Sequence, residues 1–269
     1  MKIGSSSFAS PLHELKKEVE SIELYIPKLG LYKGNKMIKE RFDEIREFLS
    51  TCSTSTTLHA PYFGDSPGYP EALMVDTARM HRSQFQLMEE SIGLANEFGC
   101  TIMVIHPGKI IGNREKCFNS MVMNLKKLAL TAENSGITLG LENKEGTDPT
   151  NLCCSTIELL RAVSEVDLQN LQVTFDIGHA NLTCRGNMVL LRDFTRELKE
   201  KVVHVHVHDN IGMNGDRYFG DLHGAPGAGN IDFSILRELR HSGVFNLEVF
   251  TMEDVRTGKI VLKELLKDK

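Results

Sequence analysis

The sequence predicts an α/β fold, a single (β/α)8 barrel over residues 1–269, and three observations carry the prediction. Eight short β-rich runs alternate with long amphipathic stretches, with no linker between repeats. The β-rich runs are close to continuous apolar segments, as at 101–105 and 173–175, which is how parallel strands buried on both faces read. A length of 269 residues also matches the roughly 250 that such barrels use as one domain. An open dinucleotide-binding sheet fits less well, because GSSSFAS after the first run lacks the GxGxxG of a phosphate loop.

Taken in order, strands are expected at 2–8, 21–26, 56–62, 101–107, 137–143, 171–177, 202–208 and 245–250. Helical stretches lie between them at 37–51, 75–98, 114–134, 155–166, 188–201 and 232–241, with a last one around 259–266. Phe42, Ile45, Phe48 and Leu49 show the helical spacing that buries one face. Gly99 and Gly136 each stop a helix just before a strand begins.

With 41% hydrophobic and 25% charged residues, the composition is that of a soluble globular protein. No apolar run approaches the roughly 20 residues that cross a bilayer. MKIGSSSFAS lacks the charged and apolar regions of a signal peptide, so a cytoplasmic location is expected. Cys52, Cys100, Cys117, Cys153, Cys154 and Cys184 form no CxxC pair and read as reduced, mostly buried thiols. A net charge of −5 without a long basic run gives no support for nucleic-acid binding.

Function is pointed to by what closes each strand. Strand three ends TLHAPY (His59), strand four VIHPG (His106), and strand five LGLENK (Glu142). Strand six reads VTFDIGHA (Asp176, His179), and strand seven VVHVHVHDN (His204, His206, His208, Asp209). The loop DLHGAPGAGNID follows with Asp221 and His223, and strand eight supplies Glu248. Alone, a His in an apolar strand is more often a satisfied core residue, and a strand-end Asp can simply cap the next helix. Together these residues meet on one barrel face, where so many carboxylates repel unless cations lie between them. Imidazole and carboxylate without thiolate suit Zn²⁺, Mn²⁺, Co²⁺ or Fe²⁺ at an open site, not a structural Cys-rich zinc. On strand seven, alternation sends all three His to one side; His206 is taken as the ligand, with His204 deeper and His208 at the rim.

These motifs resemble the xylose isomerase-like barrel superfamily over essentially the whole chain. Its sugar isomerases and epimerases hold a metal through a Glu, Asp, His and Glu at the ends of strands five to eight, matched here by Glu142, Asp176, His206 and Glu248. Its endonuclease IV branch holds three zinc ions and adds positions matched by His59, His106, His179, Asp221 and His223. Tyr62 falls where that branch has a Tyr near the phosphate, and PGAGNI resembles its Gly-rich turn. The loop after strand two, ELYIPKLGLYKGN, departs from the DNA-reading loop: it offers Lys28, Tyr32, Lys33 and Lys36 but no Arg.

Two activities follow from the resemblance. On ligand count the sequence favours hydrolysis of a phosphoester, such as DNA at an abasic site, with up to three Zn²⁺. Glu142 would bridge two ions and position the attacking hydroxide. The alternative is isomerisation or epimerisation of a sugar or sugar phosphate at one ion, Mn²⁺ or Co²⁺ included. Glu142 and Glu248 would then move a proton across the substrate. His179 is the third residue assigned to catalysis, and Tyr62 and His208 are assigned to substrate binding. No membrane partner is implied.

Overall fold

The structure, a computed structural model, describes residues 1–34, 36–64, 69–214, 217–218 and 220–267; Asn35 of the loop after strand two lies outside them. Eight strands form the barrel: β1 (Lys2–Ser6), β2 (Ser21–Tyr25), β3 (Ser55–His59), β4 (Ile102–Ile105), β5 (Thr138–Glu142), β6 (Leu171–Asp176), β7 (Val202–Val207) and β8 (Val244–Leu247). They close in the order β1-β8-β7-β6-β5-β4-β3-β2, every pair parallel. Each strand is shorter than expected at its carboxyl end. His59 is therefore the last residue of its ladder, while His106 lies just beyond the end of β4 and begins the HPG loop.

Helices surround the sheet: α1 (Leu12–Glu18), α2 (Lys39–Ser50), α3 (Arg82–Glu97), α4 (Arg114–Asn134), α5 (Thr156–Val166), α6 (Ile177–Thr183), α7 (Met188–Leu198) and α8 (Met252–Leu266). Side chains of Asn113, Ser155 and Asn187 cap α4, α5 and α7, each accepting from a first-turn N–H. Three departures from the expected helices have local causes. The stretch 75–98 is helical only from Arg82, because Asp76 diverts its start into a 3₁₀ turn, Thr77–Arg79. Only a 3₁₀ segment, Phe233–Glu238, stands where a helix over 232–241 was expected. The last helix begins at Met252, where Thr251 caps it.

Strand pairing separates two kinds of surface. Ile22, Leu24, Leu58, Met103, Leu139, Leu141, Val173, Phe175, Val205, Val207, Phe245 and Leu247 are all buried and belong to the main apolar cluster. Each such side chain contributes about 1.5–3 kcal/mol by leaving water. Most residues alternating with them are polar, among them Ser21, Glu23, Thr57, Thr174, His204, His206 and Asn246, all buried, with Val104 an apolar exception. Glu23 on β2 bonds His204, His206 and Asn246 on β7 and β8, which do not adjoin β2, so these contacts cross the barrel interior. The strands are buried on both faces, as expected, but the inner face is largely polar where the runs read as nearly continuous apolar segments. Beneath the functional face, Glu23, His204, His206 and Asn246 form a hydrogen-bonded cluster in the lumen.

Candidate metal centre

His59, His106, Glu142, Asp176, His179, His206, Asp221, His223 and Glu248, widely spaced along the chain, come together at the carboxyl ends of the strands. Groups of ligand atoms within 4.8 Å of one another are formed by His59, His106 and Glu142, by Glu142, Asp176 and His206, and by Asp176, His208 and Glu248. His179, His208, Asp221 and His223 form a further group, and Glu23, His204 and His206 one more beneath.

Local chemistry orients these side chains. Asn143, next to Glu142, exchanges two 2.9 Å hydrogen bonds with the backbone of Asp176, extending the β5–β6 ladder through its amide. Asp176 does cap a helix, accepting from His179 N–H at 2.7 Å, and its other oxygen still faces the centre. That cap fixes His179 in the first turn of α6, one turn from Asp176. The HPG loop is pinned by Thr77, which donates to the His106 carbonyl at 2.7 Å. A Cβ on Gly108 would lie 2.2 Å from the Ala78 nitrogen, so the motif needs glycine for close approach.

Ring-nitrogen partners assign the tautomers. Nδ1 of His59 faces the Ala60 carbonyl at 3.0 Å and Nδ1 of His223 the Glu248 carbonyl at 2.7 Å, so each donates there and turns Nε2 inward. His179 Nδ1 faces the Asn143 carbonyl and Glu142 Oε1, both at 3.0 Å. His206 is reversed: Nε2 pairs with Glu23 at 3.0 Å, and Nδ1 looks onto Glu142 at 3.4 Å, Glu248 at 3.4 Å and Asp176 at 3.7 Å.

Several inward atoms are buried without a hydrogen-bond partner: His106 Nε2, Glu142 Oε2, His206 Nδ1, His208 Nδ1 and Asp221 Oδ1. Orphaned lone pairs of N and O type converging on one another are what a divalent cation satisfies, so the residues fit such an ion. In the metal-free centre, burial and neighbouring charges set the protonation of these groups. Burial opposes ionisation of Glu142, yet His106 and Lys144 hold its carboxyl well below the usual range. Burial pushes His106 down to about 3, leaving a neutral ring with a free lone pair. Burial also opposes charge on His206, but Glu248, Glu23 and Glu142 raise its pKa well above the ordinary value.

Expectations about neighbouring residues fare differently. Tyr62 packs its ring 4.0 Å from His106 and pairs its hydroxyl with Tyr25 at 3.1 Å, lining the centre. His208 is fully buried, stacked 3.9 Å from His223 and 3.1 Å from Asp176, so it lies among the ligands and not at an exposed rim. His204 lies below, on Glu23 at 2.9 Å. Above, Phe8, Tyr25 and Phe250 form an aromatic wall, with the Lys28 ammonium 5.4 Å from the Phe8 ring and 5.9 Å from Phe250.

Three residues, Glu23, Asn143 and Lys144, escaped the sequence reading, and Asp209 takes a supporting role. Glu23 supports His206, and Asn143 positions Asp176. Lys144 reaches within 3.2 Å of His179 Nε2. Asp209 accepts from the backbone N–H of Asn210, Gly227, Gly229 and Ile231, anchoring the loop that carries Asp221 and His223. A charged residue within an apolar strand, as in SIELY, was the available signal for Glu23.

The fold and site define a closed parallel (β/α)8 barrel with a candidate His and carboxylate metal centre at its strand ends. The xylose isomerase-like TIM barrel family matches residues 15–266, and the chain belongs to that family. An uncharacterised protein of Methanocaldococcus jannaschii is 31% identical over 218 residues, covering 78% of this chain and 69% of that one. A fructoselysine 3-epimerase of Shigella flexneri is 26% identical over 208 residues, 73% of this chain and 70% of its own. Among solved structures, a D-tagatose 3-epimerase-like protein superposes with a TM-score of 0.81 at 27% identity, over 99% of this chain and 97% of its own. Among the described residues no helix is long and apolar enough to cross a membrane.

Proposed function

We propose that the chain is a divalent-metal-dependent epimerase or isomerase of a sugar or sugar derivative. One observation carries the reading: His206 Nδ1, without a hydrogen bond, faces Glu142, Asp176 and Glu248, the carboxylates that close β5, β6 and β8. The epimerases to which the chain is similar support a sugar over a phosphodiester as substrate. Glu142, Asp176, His206 and Glu248 would hold the ion, and Zn²⁺, Mn²⁺ or Co²⁺ suits the N/O set. When bound, the ion polarises a ketose carbonyl and its neighbouring hydroxyl.

The chain's own groups do the proton work. Glu142, held as a carboxylate by His106 and Lys144, takes the proton from the carbon beside the carbonyl. Glu248 returns a proton to the opposite face, and the roles exchange in reverse. His179 holds a substrate hydroxyl, and Tyr62 with the Phe8–Phe250 wall packs the sugar ring and excludes water. Phosphoester hydrolysis remains the second reading, favoured by the additional groups His59–His106–Glu142 and His179–His208–Asp221–His223.

Deuterium incorporation separates the two. In D₂O, metal-loaded protein should exchange the carbon-bound hydrogen beside the carbonyl of a ketose, a ketose phosphate or a ketosamine, followed by NMR. Glu142→Gln and Glu248→Gln should each lower exchange by about 10²–10⁴-fold. No exchange on any of these substrates, with cleavage of an abasic-site duplex or an aryl phosphodiester at full metal loading, would replace this reading with hydrolysis.

A further inference from the structure

The mouth of the barrel carries a cation that the proton transfer leaves unused. Lys28 ends the 3₁₀ turn Ile26–Lys28, directly after β2. Its backbone is held in place: the flanking Ile26 and Leu29 are buried, and Arg41 Nε donates to the Leu29 carbonyl at 2.9 Å. The side chain reaches the loops after β1 and β8, where its ammonium stands 5.4 Å from the Phe8 ring and 5.9 Å from the Phe250 ring. Those rings lie 6.5 Å and 5.3 Å from the ring of His223, so the ammonium is one aromatic ring removed from the centre. Attraction to a ring face positions an ammonium without using its N–H donors. Among the described residues, no hydrogen bond or ion pair engages Lys28. Lys144, by contrast, is held by Glu145 at 3.4 Å and Glu142 at 3.8 Å. With a net charge of −5 the chain as a whole does not draw anions, so an anionic group has to be recognised by a local cation.

We propose that Lys28 binds an anionic substituent, a phosphate or a carboxylate, at the far end of a substrate whose carbonyl lies in the centre. Phe8 and Phe250 pack the carbon chain between the two ends, and the free N–H donors of the ammonium meet the anionic oxygens. The inference rests on the epimerase or isomerase reading and narrows its substrate to a negatively charged ketose derivative.

Paired substrates test it. Hydrogen exchange in D₂O by metal-loaded protein is compared between each ketohexose and its 6-phosphate, and between fructosylglycine and its uncharged amide. In at least one kind of pair, kcat/KM should favour the anion by about 10–100-fold, the worth of a hydrogen bond to a charged group. Lys28→Met should bring that ratio close to one, chiefly through KM, and Lys28→Arg should restore most of it; thermal melts check that both variants fold. The pair whose ratio responds identifies the group as phosphate or carboxylate. Ratios near one in the parent chain, or a preference that Lys28→Met leaves intact, overturn the proposal. Calorimetry reads the same ratios as Kd without turnover. A Lys28-dependent Kd ratio with no exchange on any substrate overturns the epimerase reading and upholds the anion site. Equal Kd values within every pair overturn the anion site whether or not exchange occurs.

Discussion

At the scale of single residues, the centre depends on groups placed behind its ligands. Glu23 holds the Nε2 side of His206 at 3.0 Å, leaving Nδ1 as the inward atom. A carboxylate behind a ligating imidazole fixes its tautomer and raises its basicity, and losing one typically costs 10–100-fold in metal affinity. Glu23→Gln should therefore fold and weaken Zn²⁺ binding by roughly that factor in a chelator competition. Unchanged affinity would make Glu23 a filler of the lumen only. Gly178 answers to a similar constraint, since a Cβ there would lie 2.0 Å from the His208 ring.

At the scale of elements, the loop after β7 is held by one side chain. Asp209 collects N–H groups of Asn210, Gly227, Gly229 and Ile231 at 2.8–3.3 Å, and a bridge to Gly224 closes the loop's base. Hydrogen bonds to a charged acceptor contribute about 1.5–3 kcal/mol each, so Asp209→Ala should destabilise by on the order of 3 kcal/mol or more. Hydrogen exchange should rise at the amides of Gly227, Gly229 and Ile231 while β-strand amides stay protected. The outer barrel face makes a contrasting prediction. Phe175→Ala removes a fully buried ring that packs near Phe194 and should cost about 3–5 kcal/mol in denaturant unfolding without altering metal affinity.

At the scale of the whole molecule, the centre couples stability to pH. Burial opposes charge on His223, but Asp221 and then Glu248 raise its pKa to about 9, and His206 is raised in the same sense. A histidine whose folded pKa is raised stabilises fully below its unfolded value of about 6.5 and loses that contribution as pH climbs through the folded value. Metal-free protein should thus lose thermal stability between about pH 6.5 and 9. Metal affinity should rise over the same window, because a cation displaces the proton from His206. Melts with chelator and with saturating Zn²⁺ at several pH values would read both; a metal-free chain that gains stability with rising pH would contradict the assignment.

Much of this molecule was legible because its chemistry has a simple period. Strands alternating with helices force a parallel barrel, and parallel strands put every carboxyl end on one face. The positions of His59, His106, Glu142, Asp176, His206 and Glu248 in the chain therefore already implied a shared centre. Residues whose role is to support a neighbour were not legible, because nothing local marks them. Glu23 and His206 are 183 residues apart, and only barrel closure brings their side chains to hydrogen-bonding distance. The same holds for the polar lumen, for the burial of His208, and for Lys144, which reads in sequence as an ordinary loop cation. The linear order decided which ligands exist and on which face; three-dimensional closure decided which lone pairs meet, since hydrogen bonds and charge act over a few ångströms of space irrespective of separation along the chain.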